Sequence, residues 1–165
     1  MKIAIVGGGI FGIMSAIKLA KEHDVFLFEK NDDILKAASN VNQCRIHRGY
    51  HYPRSDETTI QTSKSHDSFL EEFSESIISG IDNYYCISKF DSYTKSKEYV
   101  KFCKRHNLEF TKVNLDLVDK NSIDICLKVK EYLFDHEILK KKCWEKLNKS
   151  GVTVYLNTIA DYEIY

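Results

Sequence analysis

Three glycines and one acid carry the clearest chemistry in the sequence. Gly7, Gly9 and Gly12 stand in a Gly-x-Gly-x-x-Gly spacing, and Glu29 comes seventeen residues after Gly12. Gly7 lets the chain turn sharply out of a strand. Gly9 has no side chain, so a pyrophosphate can approach its backbone. Gly12 lets a helix pack close to that strand. The helix start at Ile10 and Phe11 offers unpaired N–H groups and a partial positive charge to phosphates. A carboxylate at Glu29 accepts hydrogen bonds from both ribose hydroxyls and repels a 2′-phosphate. NADP is therefore the least suitable dinucleotide, although Lys30 is adjacent.

These residues need a strand, a helix and a second strand to hold them. Ile3 to Val6 is short, apolar and β-branched, as a buried parallel strand should be. A helix is predicted from Ile10 to about Lys21, with Ala16 on the same face as Gly12. Val25 to Phe28 form the next strand, with Glu29 at its end. A bare glycine spacing is a weak signal; with these elements around it, it is a specific one. A glycine-rich turn of another α/β protein is the alternative. Met1-Lys2 and the apolar run behind it also have the outline of a signal peptide, but three consecutive glycines and Lys18 interrupt that run.

A second cluster runs from Ala37 to Ser55. It mixes small polar residues with His, Arg, Tyr and one glycine, and such residues are costly to bury without partners. A solvated loop is one reading. The other is a site. Arg45, Arg48 and Arg54 could hold a substrate carboxylate, because a guanidinium fork matches it. His47 and His51 are the catalytic candidates, able to take a substrate proton. A packed, hydrogen-bonded role is open for each histidine, and a solvated one for each arginine.

On Gly7, Gly9, Gly12, Glu29, Ala38-Ser39, Asn42, His47, Gly49 and Tyr52, the sequence resembles the FAD-dependent oxidoreductases of the D-amino acid oxidase type. The resemblance implies FAD as cofactor. It places Ser39, Asn42 and Gln43 along the pyrophosphate and the flavin edge. It places His47 to Tyr52, Gly49 included, beside the isoalloxazine, where His47 and His51 could tune the flavin. The implied activity is oxidation of a small amine or hydroxy-acid-like substrate by hydride transfer to the flavin. All 165 residues are covered, but only the family's N-terminal part. The expectation is therefore a fragment, or a chain that pairs with a missing C-terminal half or a partner polypeptide. Such a chain should bind FAD poorly alone and aggregate through unpaired edges.

The expected fold is α/β: a Rossmann-like FAD-binding domain with a parallel sheet and a βαβ unit, carrying an inserted, incomplete mixed-sheet substrate domain. Residues 1–78 and 133–165 are assigned to the first and 79–132 to the second. Asp56 to Ile78 reads as one helix with Ile60, Phe69, Leu70, Phe73, Ile77 and Ile78 inward, His66 solvated and Gly80 ending it. Strands are expected at 83–90, 110–113 and 123–132. A helix capped by Thr94 or Ser96 should lie between the first two. The tyrosines of 84–132 read as packing residues rather than ligands. Asp135 caps a helix to Lys149 with Ile138, Leu139, Cys143, Trp144 and Leu147 as its apolar stripe, and Gly151 stops it. Val152 to Leu156 is then a third parallel strand, and residues 157–160 reach toward the adenine. The chain should end at Tyr165 in or just after a strand.

Composition removes other classes. Apolar residues make up 43%, and net charge is zero, which gives no basic footprint for nucleic acid. After the first run, no stretch approaches a transmembrane span. The five cysteines are scattered, without C-x-x-C, and read as reduced thiols of a cytoplasmic protein rather than a disulfide frame or metal site. Two rivals stand beside the flavoenzyme. An NAD-dependent dehydrogenase would continue with alternating strands and helices after Glu29. A non-catalytic nucleotide-binding fragment would keep the fingerprint alone.

Overall fold

The computed structural model describes residues 1–161. In chain order the elements are β1 (Lys2–Val6), α1 (Ile10–Leu19), β2 (Asp24–Phe28), β3 (Arg45–Ile46), α2 (Asp56–Glu72), β4 (Ile77–Ile78), β5 (Asn83–Ser88), α3 (Ser96–Arg105), β6 (Phe110–Val113), β7 (Ile123–Val129), β8 (Tyr132–Phe134), α4 (His136–Ser150) and β9 (Thr153–Tyr155). One 3-10 turn, Ser74–Ser76, leads into β4. The strand expected at Tyr165 lies outside the described residues. Two compact units emerge, Met1–Cys44 with Asp135–Tyr165, and Arg45–Phe134.

The first unit is a parallel sheet in the order β1-β2-β9. Lys2 to Val6 pair with Asp24 to Phe28, and Phe26 to Phe28 pair with Thr153 to Tyr155. The fold class expected from the fingerprint is therefore present, including the third parallel strand. Val25 and Leu27 alternate into the core, where Ile13 and Ala16 of α1 are fully buried. α4 adds Leu139, Cys143 and Leu147, while Ile138 stays 39% exposed. Its ends follow the sequence. The Asp135 carboxylate accepts from the Ile138 amide at 2.9 Å, and Gly151 takes the left-handed conformation that a Cβ would strain.

The second unit holds two antiparallel sheets, β3-β8-β4 and β5-β7-β6. Its core gathers Tyr50, Tyr99, Phe102, Cys103, Leu108, Leu127 and Val129. Its buried tyrosines find acceptors, as buried hydroxyls must. Tyr99 donates to the Tyr50 carbonyl at 2.9 Å, and Tyr50 to the Glu109 carbonyl at 2.6 Å.

Several expectations need correction here. The long helix ends at Glu72, not Ile78. Ile77 and Ile78 instead pair with Phe134 and Leu133. Residues 45–78 fall in the second compact unit, and their last strand joins β8. The inward face of α2 is carried by Thr59 and His66, while Ile60 is 46% exposed. Thr59 is satisfied locally, donating to the Ser55 and Tyr52 carbonyls. His66 is buried, not solvated; its Nδ1 meets the Asp67 carboxylate at 2.9 Å and its ring lies over Tyr132. The expected strand 123–132 is two strands in different sheets. Lys95, between the two expected caps, precedes α3, and its amide donates to Glu98. Finally, Cys86 and Cys126 sit opposite each other on β5 and β7 and form a disulfide. Cys44, Cys103 and Cys143 are free, and burial pushes the Cys103 and Cys143 thiols up to about 11 and about 12.

Candidate functional site

The glycine turn sits where β1 stops and α1 begins. Gly7 has φ +105°, a region that disfavours side chains. Its amide still donates to the Phe28 carbonyl at 2.8 Å, so the turn stays tied to β2. A Cβ on Gly12 would lie 2.0 Å from the Gly7 carbonyl oxygen, so only glycine lets α1 come this close. A Cβ on Gly9 would meet nothing nearer than the Ser39 hydroxyl at 3.6 Å. The chain around Gly9 is therefore open, as an approaching phosphate requires.

Gly9 precedes α1 without a side-chain cap. The orphan amide of Ile10 donates instead to Ser39 Oγ at 3.3 Å. Ser39 is thus brought to the helix start from a distant turn. Asn42 organises that turn. Its side-chain amide donates to the carbonyls of Ala38 and Ser39, and its Oδ1 accepts from the Cys44 amide. Gln43 is exposed, as are Lys30 and Phe11, the latter 87%.

Glu29 is buried, and its carboxylate is held from three directions. Oε2 accepts from the Gly8 amide at 2.6 Å, while Oε1 accepts from the Asn31 backbone and side-chain amides at 2.8 and 2.6 Å. A carboxylate offers about four lone-pair positions, so capacity for a hydroxyl donor remains. Gly8 and Asn31 were not singled out from sequence. Gly8 matters because a Cβ there would stand 3.0 Å from Glu29 Oε2. The loop beyond is pinned to α4. Trp144 Nε1 donates to Asp33 Oδ1 at 2.9 Å, Lys140 lies 3.4 Å from Asp33 Oδ2, and the Leu35 amide donates to the Gly8 carbonyl. Burial by itself would raise the Asp33 carboxyl, but Trp144, the Ile34 amide and Lys140 hold it below the ordinary range. After β9, the Thr158 amide donates to the Glu29 carbonyl at 2.9 Å.

His47, Gly49 and His51 lie in the second unit. Gly49 has φ +111°, and a Cβ there would strike Thr59 Cγ2 at 2.7 Å. Its neighbour Tyr50 is a core residue. His47 and His51 stack at 5.4 Å between ring centroids. Beside His47 is a buried polar centre. Glu131, between β7 and β8, accepts from the Arg48 amide at 3.1 Å and from the Tyr85 hydroxyl at 3.0 Å. Arg45 donates twice to Asn83 Oδ1, lies over the Tyr85 ring, and has Nε 3.6 Å from Glu131 Oε2. Burial alone would raise the Glu131 carboxyl. His47, the Arg48 amide, Tyr85 and the Arg45 charge outweigh it and keep the group ionised below the usual carboxylate range. Burial and the nearby Glu131 charge push the Tyr85 hydroxyl well above the tyrosine range. Of the three arginines, Arg45 is thus engaged internally, Arg54 lies over Tyr93, and Arg48 is 3.8 Å from Glu109. No motif points to Glu131, because its partners come from sequence separations of 46 and 83 residues.

Among the described residues no cluster of His, Cys, Asp and Glu is arranged to hold a metal, and no helix is long and apolar enough to cross a membrane. A strand-turn-helix-strand unit with an exposed helix start and a held carboxylate defines a dinucleotide holder. The comparisons name it further. The family model of FAD-dependent oxidoreductases, DAO, matches residues 2–159, and the chain belongs to that family. The NAD-dependent rival is thereby set aside. The FAD-dependent monooxygenase kojA of Aspergillus flavus is 27% identical over the whole chain and 40% of its own length. The FAD-dependent monooxygenase FPY4 of Fusarium mangiferae is 31% identical over 78% of the chain and 35% of its own length. The fold is also that of the Bacillus cereus glycine oxidase, with TM-score 0.74 at 16% identity over 99% of this chain and 48% of that one. The chain thus spans under half the length of these relatives. The residues present fit FAD: the open backbone at Gly9, the amide at Ile10 and the carboxylate of Glu29 are in one unit.

Proposed function

We propose that this chain forms the nucleotide-binding front part of an FAD-dependent oxidoreductase acting on a small amine or hydroxy acid. The observation that carries the reading is the Glu29 carboxylate fixed beside the Gly7–Gly12 turn, within a chain of this family. Gly9 leaves room for the pyrophosphate, the start of α1 offers its amides, and Ser39 supplies a hydroxyl there. Glu29 accepts from the ribose while Gly8 and Asn31 keep it in place. Bound FAD supplies the redox chemistry by accepting a hydride from the substrate carbon. On this reading one of His47 and His51, both in the second unit, is the base for the proton that leaves the substrate nitrogen or oxygen.

The substrate class follows the similar proteins, among them glycine oxidases and an α-glycerophosphate oxidase from Mycoplasma pneumoniae. Since the chain spans 40% of kojA, we place the remaining substrate contacts on further polypeptide, in the same protein or a partner. The test, on the chain completed by that further polypeptide, is an FAD titration followed by flavin absorbance under exclusion of oxygen. Bleaching on addition of glycine, proline or glycerol phosphate supports the activity. FAD affinity that is unchanged in Glu29→Ala would overturn the site.

A further inference from the structure

We propose that Glu131 is the positioning residue of His47, receiving the ring's Nδ1–H so that Nε2 keeps its lone pair to accept a proton. This rests on the reading of His47 as a proton acceptor, but the contact itself can be tested without it.

His47 Nδ1 is buried and has no hydrogen-bond partner. An orphaned ring nitrogen in a protein interior calls for an explanation. The charged atom facing it is Glu131 Oε1, at 3.8 Å. That separation is an electrostatic contact rather than a hydrogen bond. Catalytic hydrogen bonds are commonly long in the resting protein and close when ligand binds. The ring is the partner able to move. It is 32% exposed, stacked on the exposed His51 and edge-on to Tyr52 at 6.1 Å. Glu131 is fixed, with a side chain fully buried and both oxygens engaged by the Arg48 amide and the Tyr85 hydroxyl.

Sign of charge then selects the tautomer. A ring with its proton on Nε2 would aim the Nδ1 lone pair at an anionic oxygen in a poorly solvated place, which is repulsive. A ring with Nδ1–H aims a donor there. The carboxylate thus sets which nitrogen is free, as it does for histidines whose second nitrogen does chemistry. Arg45 meets the other carboxylate oxygen, Oε2, at 3.6 Å while donating to Asn83, and so balances part of the charge. A structural-only alternative exists: Glu131 could merely tie the β7–β8 junction to the segment after β3.

Long-range proton–nitrogen spectra of the chain labelled with 15N-histidine separate the two, read where the ring is neutral. The expected result is Nδ1–H for His47 in the wild type and a mixture rich in Nε2–H in Glu131→Leu. Glu131→Gln, whose amide oxygen can still accept, should fall between them. His106, which meets Asp56 instead, should not change. An Nε2–H ring in the wild type overturns the proposal, and so does an Nδ1–H ring that persists in both variants. If neither variant folds, the wild-type spectrum alone decides. A wild type with Nδ1–H whose flavin reduction is unaffected by His47→Asn would remove the catalytic reading and leave the contact standing.

Discussion

Gly9 and Gly12 should separate stability from cofactor binding, because the structure gives their missing side chains different neighbours. In Gly12→Ala the new Cβ would lie 2.0 Å from the Gly7 carbonyl oxygen. No flexible side chain can yield there; backbone must move. Overpacking of this kind costs about 1–3 kcal/mol or more. The helix propensity gained by replacing glycine returns at most about 1 kcal/mol. The net effect is a lower melting temperature before any ligand is added. In Gly9→Ala the Cβ makes only an ordinary contact, 3.6 Å from Ser39 Oγ, and φ −76°, ψ 170° suits alanine. Loss of a favourable helix-start residue costs less than about 1 kcal/mol. Yet the methyl occupies the path by which a phosphate reaches the backbone. Losing one amide contact to a charged group, about 1.5–3 kcal/mol, weakens FAD about 10- to 100-fold. Thermal melts without FAD and fluorescence titrations with it measure both quantities. A Gly9→Ala chain that bound FAD like wild type would refute the phosphate path, and one that melted far below Gly12→Ala would refute the packing.

Other outcomes follow from particular contacts. Glu29→Ala strands the buried Gly8 amide, which should lower stability by about 1–3 kcal/mol in urea melts, besides weakening FAD. Glu131 has a folded carboxyl held below the ordinary glutamate value of 4.5. Its contribution is therefore fully present above pH 4.5 and is lost as pH falls through the folded value. Wild type should lose more stability than Glu131→Gln between neutral pH and the acid side of that window, and parallel profiles would contradict the assignment. Cys86→Ser opens a link between residues 40 apart, for which chain entropy sets a ceiling of about 4 kcal/mol; peptide mapping without reductant should recover the linked pair. Trp144→Phe should loosen the 31–36 loop through Asp33, read as faster amide exchange at Leu35.

What could be read from the residues alone was whatever local pattern decides. The β1–α1–β2 unit was legible because apolar runs, glycines and an acid each have one job within thirty residues. α4 and β9 were legible because Asp135 and Gly151 punctuate the helix and a β-branched run follows. α2 was misread where tertiary pairing overrode helical continuation. Ile77 and Ile78 satisfy a helical stripe and a strand equally well, and β8 decided between them. His66 looked too polar for a core, yet it is buried with Asp67 beside Nδ1 and with Nε2 unpartnered, while Thr59 is satisfied by hydroxyl bonds to Tyr52 and Ser55. Cys86 and Cys126 became partners only through the β5–β7 register.

The same distinction separates the two groups of candidate residues. In the cofactor group, Glu29 is positioned by neighbours in sequence, Asn31 two residues on, and by the Gly8 amide of the turn it serves. These contacts are local in sequence, so the motif is sufficient to find the position. In the second unit, His47 is two residues from Arg45, yet both answer to Glu131, more than eighty residues away. Glu131 is itself held by Tyr85 from β5 and by the Arg48 amide. Here the ion arrangement depends on three strands having found their register first. A buried carboxylate with an arginine on one side and an orphaned imidazole nitrogen on the other is expensive to maintain if its only task is to join β7 to β8; an apolar side chain would do that at lower desolvation cost. The proposal that Glu131 sets the His47 tautomer gives that charge a second task.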